Sequence, residues 1–397
     1  MGLLSKLTAN DKKKGLFNST DATIFYPTGL TPLDYRNGTM MKVYDENDEL
    51  INEYPMIGIQ DGSINMMAGE PGTFKTTSIC TMAYNIVKPF EDGLVIHLDV
   101  EQSFSMNRIK DVTGMPRKDI GQKYILTQEK VFIEQIMERI KQIHDEKVDN
   151  RKEYEYDTGL VDEVNRNIIK LVPTVMIIDS LKVLNSDSDK ATEMEGQTAA
   201  GRKAMALTQF MEKVTPMCKE ANIILLIINH AKEKIEMMFS RTKSQFAFMK
   251  QGNKQLAGGV AARYLATNVW YLDVCGKFTV EENGFSGAKS KVWLWKTRSN
   301  FAGSSCELVY NQEKGYDDKM SLYNLLLVNE QIGGRNPGRY ILGYEDIKFD
   351  DRKLYIELQT RPEIYEVIKK AAHPFLMEMI SSKNESDDAM KAIVGEE

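Results

Sequence analysis

The chain has 397 residues, 42% of them apolar, with 51 basic and 57 acidic side chains for a net charge of −6. That length holds one large domain with appendages or two domains. A net acidic balance excludes a nonspecific polycation, so any nucleic-acid site has to be a local patch.

In chain order, residues 1–20 are polar with Lys12, Lys13 and Lys14 in a row and Leu3, Leu4, Leu7, Leu16 and Phe17 interspersed, which reads as an amphipathic arm suited to docking on a neighbouring subunit. Residues 22–38 predict a short strand, a turn and a helical stretch ending at Gly38, and residues 39–60 a small hairpin around Asp45 to Asp48. An apolar run then leads into Gly69-Glu70-Pro71-Gly72-Thr73-Phe74-Lys75-Thr76-Thr77, followed by a helix over 78–87. This is strand, phosphate loop, helix. Gly69 and Gly72 let the backbone turn its N–H groups inward, and the helix N-terminus adds positive potential where phosphates would sit. Lys75 would reach the β and γ phosphates and the Thr76 hydroxyl would ligate magnesium. Phe74 stands where glycine normally precedes the lysine.

Residues 94–100 read as a buried strand ending in Asp99-Val100-Glu101, carboxylates expected to face a ligand crevice. A helix is predicted over 128–143 and a charged, solvated excursion over 145–166. Residues 175–179 form an apolar strand ending in Asp179, placed to stay ionised beside magnesium. After a polar loop at 185–200 and a helix at 201–220, a third buried strand at 223–228 ends in Asn229-His230, where His230 could be a packed residue or a γ-phosphate sensor. Residues 240–260 carry Arg241, Lys243, Phe246, Phe248, Lys250, Lys254, Gly258 and Gly259 without an acid; basic residues between aromatics suit single-stranded nucleic acid. Strands follow at 269–274, 292–295 and 307–310, with Lys296 and Arg298 at i, i+2 on one strand face. Residues 362–381 read as a helix broken by Pro374, and the acidic tail from Ser381 as disordered. Four cysteines without a C-x-x-C pair (Cys80, Cys218, Cys275, Cys306) predict buried, reduced thiols and a cytoplasmic protein. No run approaches the ~18 apolar residues of a membrane span, no signal-peptide apolar region is visible, and Lys6 argues against myristoylation.

Phosphate loop, strand-end acids and alternating elements together predict an α/β ATPase with a mostly parallel sheet. The chain resembles the RecA-type strand-exchange recombinases, and more closely the UvsX-like branch of large tailed phages. The motifs that carry the likeness are Pro27-Thr-Gly-Leu-Thr-Pro-Leu-Asp34, the phosphate loop with its aromatic, Leu98-Asp-Val-Glu101, Ile177-Ile-Asp179-Ser180, Ile228-Asn-His230 and Gly258-Gly259, spread from about residue 27 to 315.

The resemblance implies a RecA-like core at 39–315 with an N-terminal polymerisation arm (1–38), a C-terminal region (316–380) and a tail (381–397). It implies Glu101 as the residue that activates water, Asp179 and Thr76 at magnesium, and His230 as sensor. It further implies Arg202 and Lys203 at the DNA backbone, DNA-binding loops near 185–200 and 235–259, and Lys296 and Arg298 as cations completing the neighbouring subunit's ATP site. Arg108 is a candidate at adenine. The activity implied is ATP- and Mg2+-dependent filament formation on single-stranded DNA, with pairing to double-stranded DNA and strand exchange inside a phage-infected bacterium, assisted by a mediator or single-strand-binding protein. A hexameric replicative-type helicase with the same core is the alternative, and a noncatalytic nucleotide-gated filament a third.

Overall fold

The computed structural model describes residues 22–180, 197–233, 254–256, 263–280 and 285–381. The described residues open with β1 (Phe25–Tyr26), helix α1 (Thr31–Arg36), the hairpin of β2 (Thr39–Tyr44) and β3 (Leu50–Met56), and β4 (Ile59–Gln60), which pairs back on β1. β5 (Ile64–Gly69), α2 (Lys75–Val87), β6 (Leu94–Asp99), α3 (Met106–Thr113), β7 (Tyr124–Thr127) and α4 (Ile133–Asp149) alternate next. After the hairpin of β8 (Glu155–Val161) and β9 (Asn167–Leu171) come β10 (Thr174–Asp179), α5 (Gln197–Glu220), β11 (Ile223–Glu233) and β12 (Lys254–Leu256). β13 (Asn268–Val280), β14 (Phe285–Lys296), β15 (Ser305–Asn311) and β16 (Gly315–Tyr316) precede α6 (Asp318–Val328), α7 (Leu354–Thr360) and α8 (Pro362–Ser381).

One large sheet runs β16-β15-β14-β13-β5-β11-β10-β6-β7, with β12 on the end of β11. The six strands from β13 to β7 are parallel and β14 to β16 continue antiparallel. The period-2 rule explains why continuous apolar runs were needed here. In β11, Ile223, Leu225 and Ile227 pack on one face with Phe210, Met211 and Val214 of α5 and Ile136 and Ile140 of α4, while Ile224, Leu226 and Ile228 pack on the other with Ile79, Ala83 and Ile86 of α2. Both faces are thus covered by helices, and all the parallel strands point their C-terminal ends the same way. A separate cluster joins α6, α7 and α8 to Phe285 and Val309.

Several elements differ from expectation. The predicted 128–143 helix begins at Ile133 and continues to Asp149, because Ile133, Ile136 and Ile140 form its buried stripe. The 145–166 segment is no solvated excursion: Lys147 is buried, and Tyr156 and Leu160 of β8 pack on the core. That hairpin ties to the earlier one through Tyr44 N–H to Glu163 O (2.9 Å) and Tyr54 OH to Val161 O (2.7 Å). Pro374 does not break α8, which runs unbroken on a face buried by Ile368, Ala372 and Leu376. α5 starts at Gln197, earlier than position 201. Cys275 is exposed, since β13 extends past the covered part of the sheet; Cys80, Cys218 and Cys306 are buried. No helix among the described residues is long and apolar enough to cross a membrane. Residues 1–21 and 382–397 lie outside the described residues, as do the expectations for arm and tail.

Candidate functional site

The 69–76 segment leaves β5 and enters α2 through two constrained residues. Gly72 has φ +77°, a conformation L side chains rarely adopt. Phe74 also sits in the left-handed region (φ 63°, ψ 19°) as the N-cap of α2. Its ring stacks on Tyr310 of β15, centroids 4.6 Å apart and planes 7° from parallel. The Tyr310 hydroxyl meets Ser78 Oγ at 2.7 Å, and Ser78 Oγ donates to Phe74 O at 2.8 Å. Stacking of this kind is worth about 0.5–1.5 kcal/mol beyond burial, comparable to the ~1–2 kcal/mol of left-handed strain in a non-glycine residue. An aromatic can therefore replace glycine here because β15 supplies its partner. At Gly69 the constraint is different: a Cβ would lie 2.6 Å from Leu272 O of the adjacent β13.

Lys75 is buried, and its ammonium donates to Glu70 O at 2.6 Å. Burial lowers its pKa, while Asp179, Glu101 and Glu70 counteract that loss. The ends of β5, β6, β10 and β11 converge on it, as parallel register requires: His230 lies beside Gly69, and Asp179 beside Asp99. Thr76 Oγ1 donates to Asp179 Oδ2 at 2.9 Å. Burial pushes the Asp179 carboxyl up to about 6; the Thr76 bond opposes that rise, and the Glu101 and Asp99 charges add to it. Glu101 Oε1 receives the Ser180 hydroxyl and lies 3.1 Å from His230 Nε2. Both Glu101 and His230 are partly exposed.

The structure thus brings Lys75, Thr76, Asp179, Glu101 and His230 together. It does not place Asp99 with them. Asp99 is fully buried and accepts from Ser103 N–H (3.1 Å), Phe104 N–H (3.0 Å) and Gln128 Nε2 (2.8 Å), so this carboxylate shapes the loop that carries Glu101 instead of facing a crevice. Arg108 donates from its guanidinium to the carbonyls of Glu313 and Gln312 (3.0 Å to the latter), binding α3 to the β15–β16 turn. Lys296 and Arg298 do not share a strand face: β14 ends at Lys296 and Arg298 lies beyond it. The Lys296 ammonium donates to Tyr264 O and Ala266 O. Burial lowers its pKa to about 8, and the neighbouring cations Arg298 and Arg263 add to the drop.

Of the basic and glycine residues assigned to nucleic acid, Arg241, Lys243, Phe246, Phe248, Lys250, Gly258 and Gly259 lie outside the described residues. Arg202 and Lys203 fall within α5, whose backbone alone is described there. Lys254 is found elsewhere than expected: its ammonium meets Glu70 Oε1 at 3.0 Å, on the 69–76 segment itself. Sequence reasoning overlooked Ser180 as a partner of Glu101 and Tyr310 as the platform under Phe74. Ser180 directly follows Asp179 in the sequence, whereas nothing local links Tyr310 to residue 74.

A nucleoside triphosphate with magnesium fits this donor set. Among the described residues no group of three or more His, Cys, Asp or Glu side chains could hold a metal alone. One hydroxyl and one carboxylate, Thr76 and Asp179, suit a magnesium ion that takes its other oxygens from phosphate and water. No protein-family model matches the sequence, and no curated protein matches it.

Proposed function

We propose that this chain is a DNA-dependent ATPase of the RecA-type recombinase kind, polymerising on single-stranded DNA with ATP and magnesium and exchanging strands with homologous duplex DNA. The observation that carries the reading is the meeting of Lys75, Thr76, Asp179, Glu101 and His230 at the C-terminal ends of adjacent parallel strands. Ligands of open α/β sheets bind at that edge.

Magnesium-bound ATP supplies the labile phosphoanhydride. The chain's own residues do the rest. Backbone N–H groups at the start of α2 and the buried Lys75 ammonium would hold phosphate charge. Thr76 and Asp179 would hold the metal. Glu101 would orient and deprotonate the attacking water. Its Oε1 is engaged by Ser180 and His230, which fixes the carboxylate and leaves Oε2 as the oxygen that would take the proton. His230 would then have a second role as sensor, because β11 continues past it to Glu233 and the basic 241–254 stretch follows in the sequence. A shift of Glu101 on phosphate binding would be felt by His230 and passed along that strand. Lys296 and Arg298 remain proposed as cations acting on the next subunit's nucleotide.

The test is ATP hydrolysis with and without single-stranded DNA, with negative-stain images of the same samples. Stimulation with open helical filaments is expected. Stimulation with closed six-membered rings would move the reading to the replicative helicase, and no stimulation would overturn both.

A further inference from the structure

β12 delivers a cation to the 69–76 segment from the far end of β11. The antiparallel register Ala231↔Leu256, Lys232↔Gln255 and Glu233↔Lys254 fixes its backbone, and Leu256 is buried against the β11 face that packs on α5. Lys254 is therefore held in place by main-chain pairing and by an apolar anchor two residues away. Its side chain is only 10% exposed, whereas that of its partner Glu70 is 53% exposed. The Glu70 backbone oxygen accepts from Lys75 (2.6 Å) while its carboxylate accepts from Lys254 (3.0 Å), so one loop residue holds two lysines by different oxygens.

An acid at this point of a phosphate loop has the wrong sign for a polyanion. Paired with Lys254, its charge is offset. If a phosphate takes its place, the ammonium passes from one anion to another without being left unpaired in a largely buried position, and the half-exposed carboxylate can turn into water. The step exchanges one charge-assisted hydrogen bond for another.

We propose that Lys254 is a phosphate ligand of the loop, held by Glu70 and handed to the distal phosphates of a nucleoside triphosphate, so that this pair makes the site discriminate by phosphate number. The proposal rests on the reading of residues 69–76 as a phosphate loop. It moves Lys254 from the DNA-binding set to the nucleotide-binding one, and it gives Glu70 a purpose as a selectivity residue: a monophosphate does not reach Lys254, so it meets the pair intact.

The experiment is equilibrium binding of fluorescently labelled ATP, ADP and AMP, each with magnesium, to the full-length wild type and to Glu70→Gln, Lys254→Met, Lys254→Arg and the Glu70→Gln/Lys254→Met double variant, with Tm recorded for each. Glu70→Gln is expected to tighten ATP by about three- to tenfold, ADP less and AMP not at all, the size of a charge interaction near a protein surface. Lys254→Met should weaken ATP by a similar factor, Lys254→Arg should retain it, and in the Glu70→Gln background Lys254→Met should still weaken ATP, because a phosphate ligand acts whether or not the acid is present. Equal effects on all three nucleotides, or a Lys254→Met loss that disappears once Glu70 is Gln, would overturn the proposal, since Lys254 would then only neutralise the acid. Lys75→Ala serves as the separate control. If it weakens ATP while Glu70 and Lys254 variants change nothing, the inference fails and the phosphate loop stands; if it too changes nothing, both fall.

Discussion

The two ends of the central sheet use their buried polar groups differently. At the N-terminal end, each group is spent on fastening elements. Lys147 of α4 donates to Val172 O (2.6 Å) and Ala221 O (3.2 Å). Asn222 accepts from Gly62 N–H (3.1 Å) and donates to Tyr26 OH and Leu171 O (2.6 Å each), and Lys170 pairs with Asp61 at 2.7 Å. At the C-terminal end, hydroxyl, carboxylate and imidazole groups meet one another, and Glu101 and His230 stay partly exposed. Side chains that bond mainly to each other can trade partners for a ligand; side chains bonded to backbone carbonyls of other elements cannot without loosening the fold. The contrast separates a site from a foundation.

Substitutions at the two ends should therefore fall into different readouts. The largest effect is expected from Lys75→Ala, which removes the buried cation that faces three acids: Mg·ATP affinity should fall at least about 100-fold, as loss of a charge-assisted contact in a partly dry site implies, with little loss of Tm. Isothermal titration calorimetry and thermal melts check this.

Lys147→Met addresses the opposite end. Burial holds the Lys147 pKa down to about 7 against 10.5 in the open chain. The sign follows directly: the unfolded chain binds more protons between those values, so wild-type stability rises with pH through that window. Methionine has no such proton. The stability of the wild type relative to Lys147→Met should improve by about 3 kcal/mol from pH 7 to pH 10, read by urea unfolding at each pH, with Mg·ATP affinity unchanged. A flat difference would mean that the ammonium is better solvated than its burial implies.

Asn222→Ala removes three hydrogen bonds that join β9, β1 and the turn before β5, and puts alanine at a φ of 50°. It should cost about 2–3 kcal/mol in chemical unfolding. Asn222→Gly, which relieves the φ, should cost less. A loss of nucleotide affinity without loss of stability would break the distinction between the two ends.

The smallest effect concerns Phe74. Phe74→Ala gives up the stack on Tyr310 yet keeps the left-handed strain, for a loss of about 1–2 kcal/mol. Phe74→Gly relaxes the strain and should recover about 1 kcal/mol of that. If glycine proved worse than alanine in thermal melts, the account of why an aromatic stands here would be wrong.

Much of the architecture was legible in the sequence. The largely apolar runs of β6, β10 and β11 read as strands covered on both faces, and the polar residues Asp99, Asp179 and Asn229-His230 at their ends marked the edge where Asp179, Glu101 and His230 meet. What escaped depended on distant partners. Asp99 and Glu101 look alike in a strand-end motif, and only the N–H groups of Ser103 and Phe104 with Gln128 show that Asp99 is structural. The charged 145–166 stretch hides Lys147 and Tyr156, because charge density says nothing about which few side chains turn inward. Pro374 is tolerated in α8 since the apolar stripe around it stays buried against α6. Lys254 read as one cation of a basic stretch, and only the pairing of β12 with β11 carries it to Glu70.

Glu101 is proposed as the hydrolytic residue of a DNA-stimulated ATPase. Glu101→Gln keeps the size of the side chain and a hydrogen-bonding oxygen while removing the base. ATP turnover should be measured for it and the wild type in saturating single-stranded DNA, alongside Mg·ATP-dependent DNA binding. Turnover is expected to drop by at least about 100-fold, the usual size of a general-base contribution, while DNA binding is retained. Unchanged turnover in Glu101→Gln would contradict the account.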